Sequence, residues 1–187
     1  MANHLLRVAV AVIVLALSVA VSAQTAQDVA RLRRAAEAGD ANAQYKLGQM
    51  YGRGLGVPQD YTQAVAWWRR AADQGDADAQ NNLGVMYENG RGVPQDDRQA
   101  VAWYRKAADQ GDARAQFNLG RTYAIGKGVP QDDVLAYMWF NLAASRSSDE
   151  TDRQIRDTVS ARLTPQQRAD GQRMAREWQT AFEKRKQ

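Results

Sequence analysis

Two pairs of adjacent carboxylates, Asp96-Asp97 and Asp132-Asp133, are the residues that most invite a catalytic reading. Such a pair can run acid–base hydrolysis only if both groups face one reacting centre. Neighbours at i and i+1 do not face one another on a helix. Both pairs stand where helices are expected to begin, so capping accounts for them. The glycine-rich run Gly52-Arg53-Gly54-Leu55-Gly56 looks superficially like a phosphate loop. It follows a helical stretch rather than a strand, and the lysine–hydroxyl pair is missing, so it carries no nucleotide signal. The only histidine is His4, and there is no cysteine. A Ser-His-Asp or Cys-His nucleophile system therefore has no basis here, nor do most zinc and copper sites. No catalytic residue, no metal site and no cofactor is expected, and the chain reads as a binder rather than an enzyme.

The elements that would position a binding surface come from a repeat. Gly39, Gly75 and Gly111 are 36 residues apart, as are Pro58, Pro94 and Pro130, and Trp67, Trp103 and Trp139. Copies run over 40–75, 76–111 and 112–147, with a half copy before them in Ala35-Ala36-Glu37-Ala38-Gly39. Each copy predicts two helices. The first opens on Asp40, Asp76 or Asp112, whose carboxylates can accept from first-turn amides. Ala43, Leu47, Met50 and Tyr51 then recur at helical spacing. A glycine-rich turn and Pro58 end that helix. The second opens on Asp60 with Gln63, or Asp96 with Gln99, at capping-box spacing, and closes at a glycine suited to a left-handed cap. Helices of this length cannot bury an apolar face alone, so neighbours must stack, with the three tryptophans filling the spaces between layers.

The run AQNNLGVMYENGRGVPQD followed by QAVAWYRKAADQG is similar to Sel1-like repeats, relatives of the tetratricopeptide repeat. The resemblance covers the three copies and, through the half copy, reaches back to Asp28. It implies an all-α, right-handed superhelical solenoid of helix-turn-helix repeats that acts as an adaptor for protein–protein contacts. It also implies that the first helix of each repeat lines the concave face. Some exported members carry disulfides, which a chain without cysteine cannot form.

Slots that change between copies are the candidates for a partner. In the first helices these are Asn42/Asp78/Arg114, Tyr45/Asn81/Phe117, Lys46/Asn82/Asn118 and Gln49/Val85/Arg121. Their spacing of three and four places them on one helical side. Aromatic and arginine side chains flanked by amides are expected to be exposed there and to anchor a protein or peptide. On that reading, reversing charge at Arg114 and Arg121 weakens capture without lowering thermal stability. A second reading gives the same groove to a small molecule or a peptidoglycan fragment.

Copy three breaks the pattern with Ser147 in place of glycine. Ser147 with Glu150 has capping-box spacing, and Thr164-Pro165 with Gln167 opens a last helix carrying Met174, Trp178 and Phe182. Over 148–187 these two helices are expected to cap the stack, ending in a basic tail. At the other end, Val8–Val21 runs without a charge and Val21-Ser22-Ala23 offers small residues where a peptidase reads. Residues 1–23 thus read as a signal peptide cleaved after Ala23, giving a periplasmic or secreted protein with no stable membrane insertion. The formal charge is +4 over 187 residues, and from position 151 onward 9 basic residues face 5 acids. The basic excess sits in the tail, which argues against a nucleic-acid partner. Self-association remains a further route to stability for so short a stack.

Overall fold

A computed structural model describes residues 27–147 and 150–187. The expected signal peptide falls outside the described residues. Among those residues there are nine helices and no strand. They are α1 (27–37), α2 (Ala41–Arg53), α3 (Tyr61–Asp73), α4 (Ala77–Asn89), α5 (Asp97–Asp109), α6 (Ala113–Ile125), α7 (Asp133–Arg146), α8 (Glu150–Ser160) and α9 (Pro165–Arg185). The chain is an all-α solenoid in which α2–α3, α4–α5 and α6–α7 form the repeats. Helix α1 is the second half of an incomplete one.

Each turn from a second helix to the next first helix uses one aspartate twice. Gly75 sits at φ +96°, its N–H donates to Ala72 O, and the Asp76 N–H donates to Ala71 O at 3.1 Å. That is a Schellman closure of α3. The Asp76 carboxylate then accepts from Ala79 N at 2.7 Å and caps α4. Asp112 repeats the arrangement, accepting from Ala115 N, and Asp40 from Ala43 N. With one residue closing one helix and opening the next, successive helices must fold back as antiparallel neighbours. Asp60 and Asp96 cap α3 and α5 by accepting from Gln63 N and Gln99 N, but the expected capping boxes are not completed: the Asp60 and Asp96 N–H groups donate to the Tyr51 and Tyr87 carbonyls instead.

Packing between helices relies on a glycine opposite an aromatic ring. Gly48, Gly84 and Gly120 face Trp68, Tyr104 and Phe140, and a Cβ on Gly84 would lie 2.4 Å from the Tyr104 ring. Leu47, Leu83 and Leu119 beside these glycines are fully buried, each contributing about 1.5–3 kcal/mol. Trp67, Trp103 and Trp139 are buried between layers: Trp103 packs with Ala71 and Ala72 of the previous repeat.

Two polar ladders tie the layers together. Gln44, Gln80 and Gln116 are buried and donate to Ala36, Ala72 and Ala108 carbonyls across the inter-repeat turns. Gln74 and Gln110 donate to the Gln44 and Gln80 carbonyl oxygens at 2.7 and 2.8 Å. On the same 36-residue period, Arg33, Arg69 and Arg105 donate to the hydroxyls of Tyr51, Tyr87 and Tyr123.

The ladder ends in repeat three. Arg146 occupies the slot of Gln74 and Gln110 but turns to Gln179, its guanidinium 5.2 Å from the Trp178 ring and 5.4 Å from the Phe182 ring. Helix α9 thus lies across α7, with Trp178 edge-on to Trp139 and stacked on Phe182. Thr164 and Gln167 form the reciprocal capping box that opens α9. Ser147 has extended backbone and its N–H donates to Ala143 O, so no Schellman turn forms and α7 does not continue into another repeat. The residues between Ser147 and Glu150, on which the expected second capping box depends, lie outside the described residues.

Candidate binding face

The variable slots of the first helices do share one face, but their side chains differ in what they are free to do. At one end, Asn42 and Lys46 line a cleft of about 370 Å³ together with Asp28, Arg31, Leu32 and Asp40. At the other end, Arg114, Phe117 and Asn118 line a cleft of about 350 Å³ closed by Ser147 and Asp152. Slots 42/114 and 46/118 are the same repeat positions, so the clefts are the two ends of one row. Between them, Asn82 is half-buried in the middle of the row.

Much of the rest is tied up within the fold. Arg114 pairs with Asp78 on the preceding repeat and with Asp112, 3.2 Å away. Tyr45 lies close to Arg114 and Asp78; burial first, and then the nearby Asp78 charge, raise its phenol pKa. Its hydroxyl accepts from Gln49 Nε2 at 2.6 Å. Asn118 Nδ2 donates to Asn81 Oδ1 at 3.0 Å, and Phe117 meets Phe140 edge-on with centroids 5.2 Å apart.

Three of the sequence-based assignments need correction. Asn81 is buried, only 5% exposed, because the hydrogen bond to Asn118 draws it under the repeat boundary. Val85 is half-buried and packs against two of the apolar clusters, where it contributes cohesion rather than contact area. Arg121 is not a free anchor. Its guanidinium pairs with Glu88, a carboxylate 7% exposed that also accepts from Tyr104 Oη at 2.8 Å and from Lys127 Nζ at 3.3 Å. Reversing charge at Arg121 would set a second anion against buried Glu88, so it is expected to lower stability, contrary to the sequence-based expectation.

The Glu88 cluster escaped sequence reasoning, although a signal existed. Slots 52/88/124 read Gly/Glu/Ala, while the facing slots 68/104/140 read Trp/Tyr/Phe. The carboxylate appears only where the aromatic carries a hydroxyl. Burial pushes the Glu88 pKa up, but hydrogen bonds from Arg121 and Tyr104, with the charges of Arg121 and Lys127, hold it below the ordinary carboxylate value. Burial, then the Glu88 contact, drive the Tyr104 phenol far upward, so it stays a protonated donor.

A group whose folded pKa is depressed stabilises the fold above its unfolded pKa, and that contribution is lost as pH falls through the folded value. Glu88 therefore predicts a fall in melting temperature beginning near the ordinary value of 4.5 and continuing below it. Melting curves for the wild type and Glu88→Gln between neutral pH and acid check this. The variant should start less stable and lose less on acidification. Parallel curves would count against the assignment.

Among the described residues, no group of three or more His, Cys, Asp or Glu side chains could hold a metal ion. None of the described helices is long and apolar enough to cross a membrane. The sequence profile of the Sel1 repeat matches residues 41–76, 77–112 and 113–148, one match for each helix pair. The chain belongs to the Sel1 repeat family.

Among solved structures, this Sel1 repeat chain is similar to c5321, a protective antigen present in uropathogenic Escherichia coli strains and displaying an SLR fold. The identity is 38% over 81% of this chain, with a TM-score of 0.76. The similarity covers 32% of c5321, so the chain spans about a third of that protein's length. It is also similar to a Sel1 repeat protein from Oxalobacter formigenes: 39% identity over 71% of this chain and 98% of that one, TM-score 0.63. The cysteine-rich protein B of Helicobacter pylori shares the fold at 22% identity over 72% of this chain and 96% of that one, TM-score 0.56. No functionally curated protein matches the sequence.

Proposed function

We propose that this Sel1 repeat protein is an exported adaptor whose first-helix face receives a protein or peptide partner. Sel1 repeats generally mediate protein interactions, and the observation that carries the assignment to this face is its pair of end clefts. They are built from the same variable repeat slots, and Asn82 lies between them in the same row. Constant slots form the turns and the ladders, whereas this row changes chemistry from repeat to repeat and, at Asn42, Lys46 and Asn82, also reaches solvent. That is the pattern of a surface fitted to a particular partner.

Affinity capture of the tagged protein after crosslinking in its native envelope tests the reading. Lys46→Glu with Asn82→Arg alters the row at an exposed and a half-buried position, neither paired among the described residues, so melting temperature should hold while the captured partner is lost. Arg98→Glu, on an exposed position of α5, serves as the control and should retain it. A partner captured equally by both variants, or retention on purified cell-wall sacculi in place of a protein partner, would overturn the assignment.

A further inference from the structure

The buried glutamine ladder is complete in two repeats and broken in the third. Gln74 and Gln110 donate to the Gln44 and Gln80 carbonyl oxygens. Gln116, with 0% exposure, donates to Ala108 O, yet its own carbonyl oxygen has no partner among the described residues. A buried acceptor left without a donor is costly. The donor that the 36-residue period assigns to it is Arg146, whose stem is longer than a glutamine's and whose head carries five N–H groups. Arg146 is instead turned away, onto Gln179, Trp178 and Phe182 of α9.

Helix α9 is in turn held lightly. Of its 21 residues only Gly171, Ala175 and Phe182 are buried. Beyond the Arg146–Gln179 contact, Gln172 donates to Tyr137 Oη at 3.1 Å, while Trp178 Nε1 and Arg185 reach Asp109 only at 3.5 Å. Burial lowers the Arg146 pKa, with the Glu183 charge opposing, so the docked position costs this cation part of its hydration.

What α9 covers is the third copy of a recurring seam. In repeat one, Glu37 and Trp67 line an open cleft of about 540 Å³. Their counterparts 72 positions on, Asp109 and Trp139, are both in contact with Trp178.

We infer that α9 is a releasable strap latched by Arg146. Docked, it closes the seam of repeat three and leaves the glutamine ladder broken. Released, it frees Arg146 to donate to the Gln116 carbonyl oxygen, which completes the ladder and opens beside Trp139 the cleft that repeat one shows beside Trp67. Each state satisfies a group that the other leaves wanting, so the two lie closer in free energy than the loss of a docked helix alone would place them. Such an element opens by itself, ahead of global unfolding. No residue of the first-helix face takes part, so the strap and the adaptor reading stand or fall separately.

Native-state hydrogen exchange of the full chain, read by mass spectrometry on peptic fragments, tests the strap with Arg146→Gln and Arg146→Ala. In the wild type, α9 amides should exchange about tenfold or more faster than those of α5–α7. Arg146→Gln takes the cation from the aromatic pair and supplies the amide that the first two repeats use. It should speed α9 exchange about fivefold further while α6 and α7 keep or gain protection. Arg146→Ala also releases α9 but brings no donor, so α6 and α7 should exchange about fivefold faster than in Arg146→Gln.

Wild-type α9 exchanging at the rate of α5–α7 would overturn the inference, because the helix then opens only with the repeats. Equal α6–α7 protection in the two variants would overturn it as well, since a donor at position 146 then adds nothing to the ladder. So would α9 exchange that neither variant changes.

Discussion

Replacing Glu88 by alanine is expected to lower the unfolding free energy by about 3 kcal/mol, roughly 6–12 °C in melting temperature. The substitution strips the acceptor from the Tyr104 hydroxyl, which sits on a ring with 0% exposure. A buried donor left without a partner costs about 1–3 kcal/mol. Arg121 and Lys127 lose their ion pair in the same step, which costs less because both reach solvent. The repeat itself supplies the control. Glu88→Ala with Tyr104→Phe recreates the pair that repeat three carries naturally, Ala124 facing Phe140. The double variant removes the donor together with its acceptor, so it should recover about half or more of the lost stability. Urea denaturation of the four proteins reads the coupling directly. A Glu88→Ala variant within about 0.5 kcal/mol of wild type, or additive effects in the double variant, would show that the cluster does not pin repeats two and three together.

Gly84→Ala carries the second large effect. Its added Cβ would stand 2.4 Å from Tyr104 Cε1, and the ring cannot swing aside while its hydroxyl is held by Glu88. Overpacking of this kind costs about 1–3 kcal/mol or more, against about 1 kcal/mol regained from alanine's better helix propensity. A net loss near 2 kcal/mol is expected. Gly120→Ala meets Phe140 at 3.0 Å, and that ring has no hydroxyl to tether it, so its net loss should be below about 1 kcal/mol. Thermal melts of the two variants side by side check the order. Gly84→Ala as stable as Gly120→Ala would mean that the glycine–aromatic contact yields more freely than its geometry implies.

The repeat made most of the architecture legible. Period, caps, turns and tryptophan layers follow from residues whose roles are local and recur every 36 positions. The aspartates at 40, 76 and 112 announce helix starts because a carboxylate there has one dominant use. What the sequence did not disclose are contacts whose partners lie about 8 to 39 positions apart. Gln44, Gln80 and Gln116 are constant polar residues on a buried face, and only the fold shows the turn carbonyls they satisfy. Arg121 looked like an interface anchor because variability between copies was equated with exposure. Its guanidinium compensates buried Glu88 of the preceding repeat, and at the equivalent pair of slots one repeat earlier, Val85 and Gly52, neither the cation nor the carboxylate is present. Asn81 and Val85 misled for the same reason: a slot can differ between repeats because its interior neighbour differs. Asn42, Lys46, Asn82, Asn118 and Asp152 are among the polar residues of the face, or of its rim, that keep hydrogen-bonding capacity unspent among the described residues. Of these, Asp152 belongs to the capping region and drew no notice in the sequence.

The adaptor reading is tested most directly by site-specific photocrosslinking in the native envelope. A photoreactive amino acid is placed in turn at Lys46 and Asn82 on the first-helix face, and at Ala66 and Ala102 on exposed positions of the second helices. Crosslinks to one protein species from Lys46 and Asn82, and none from Ala66 and Ala102, are the predicted result. The same species crosslinked from Ala66 and Ala102 but not from Lys46 and Asn82 would place the partner on the opposite side and contradict the account.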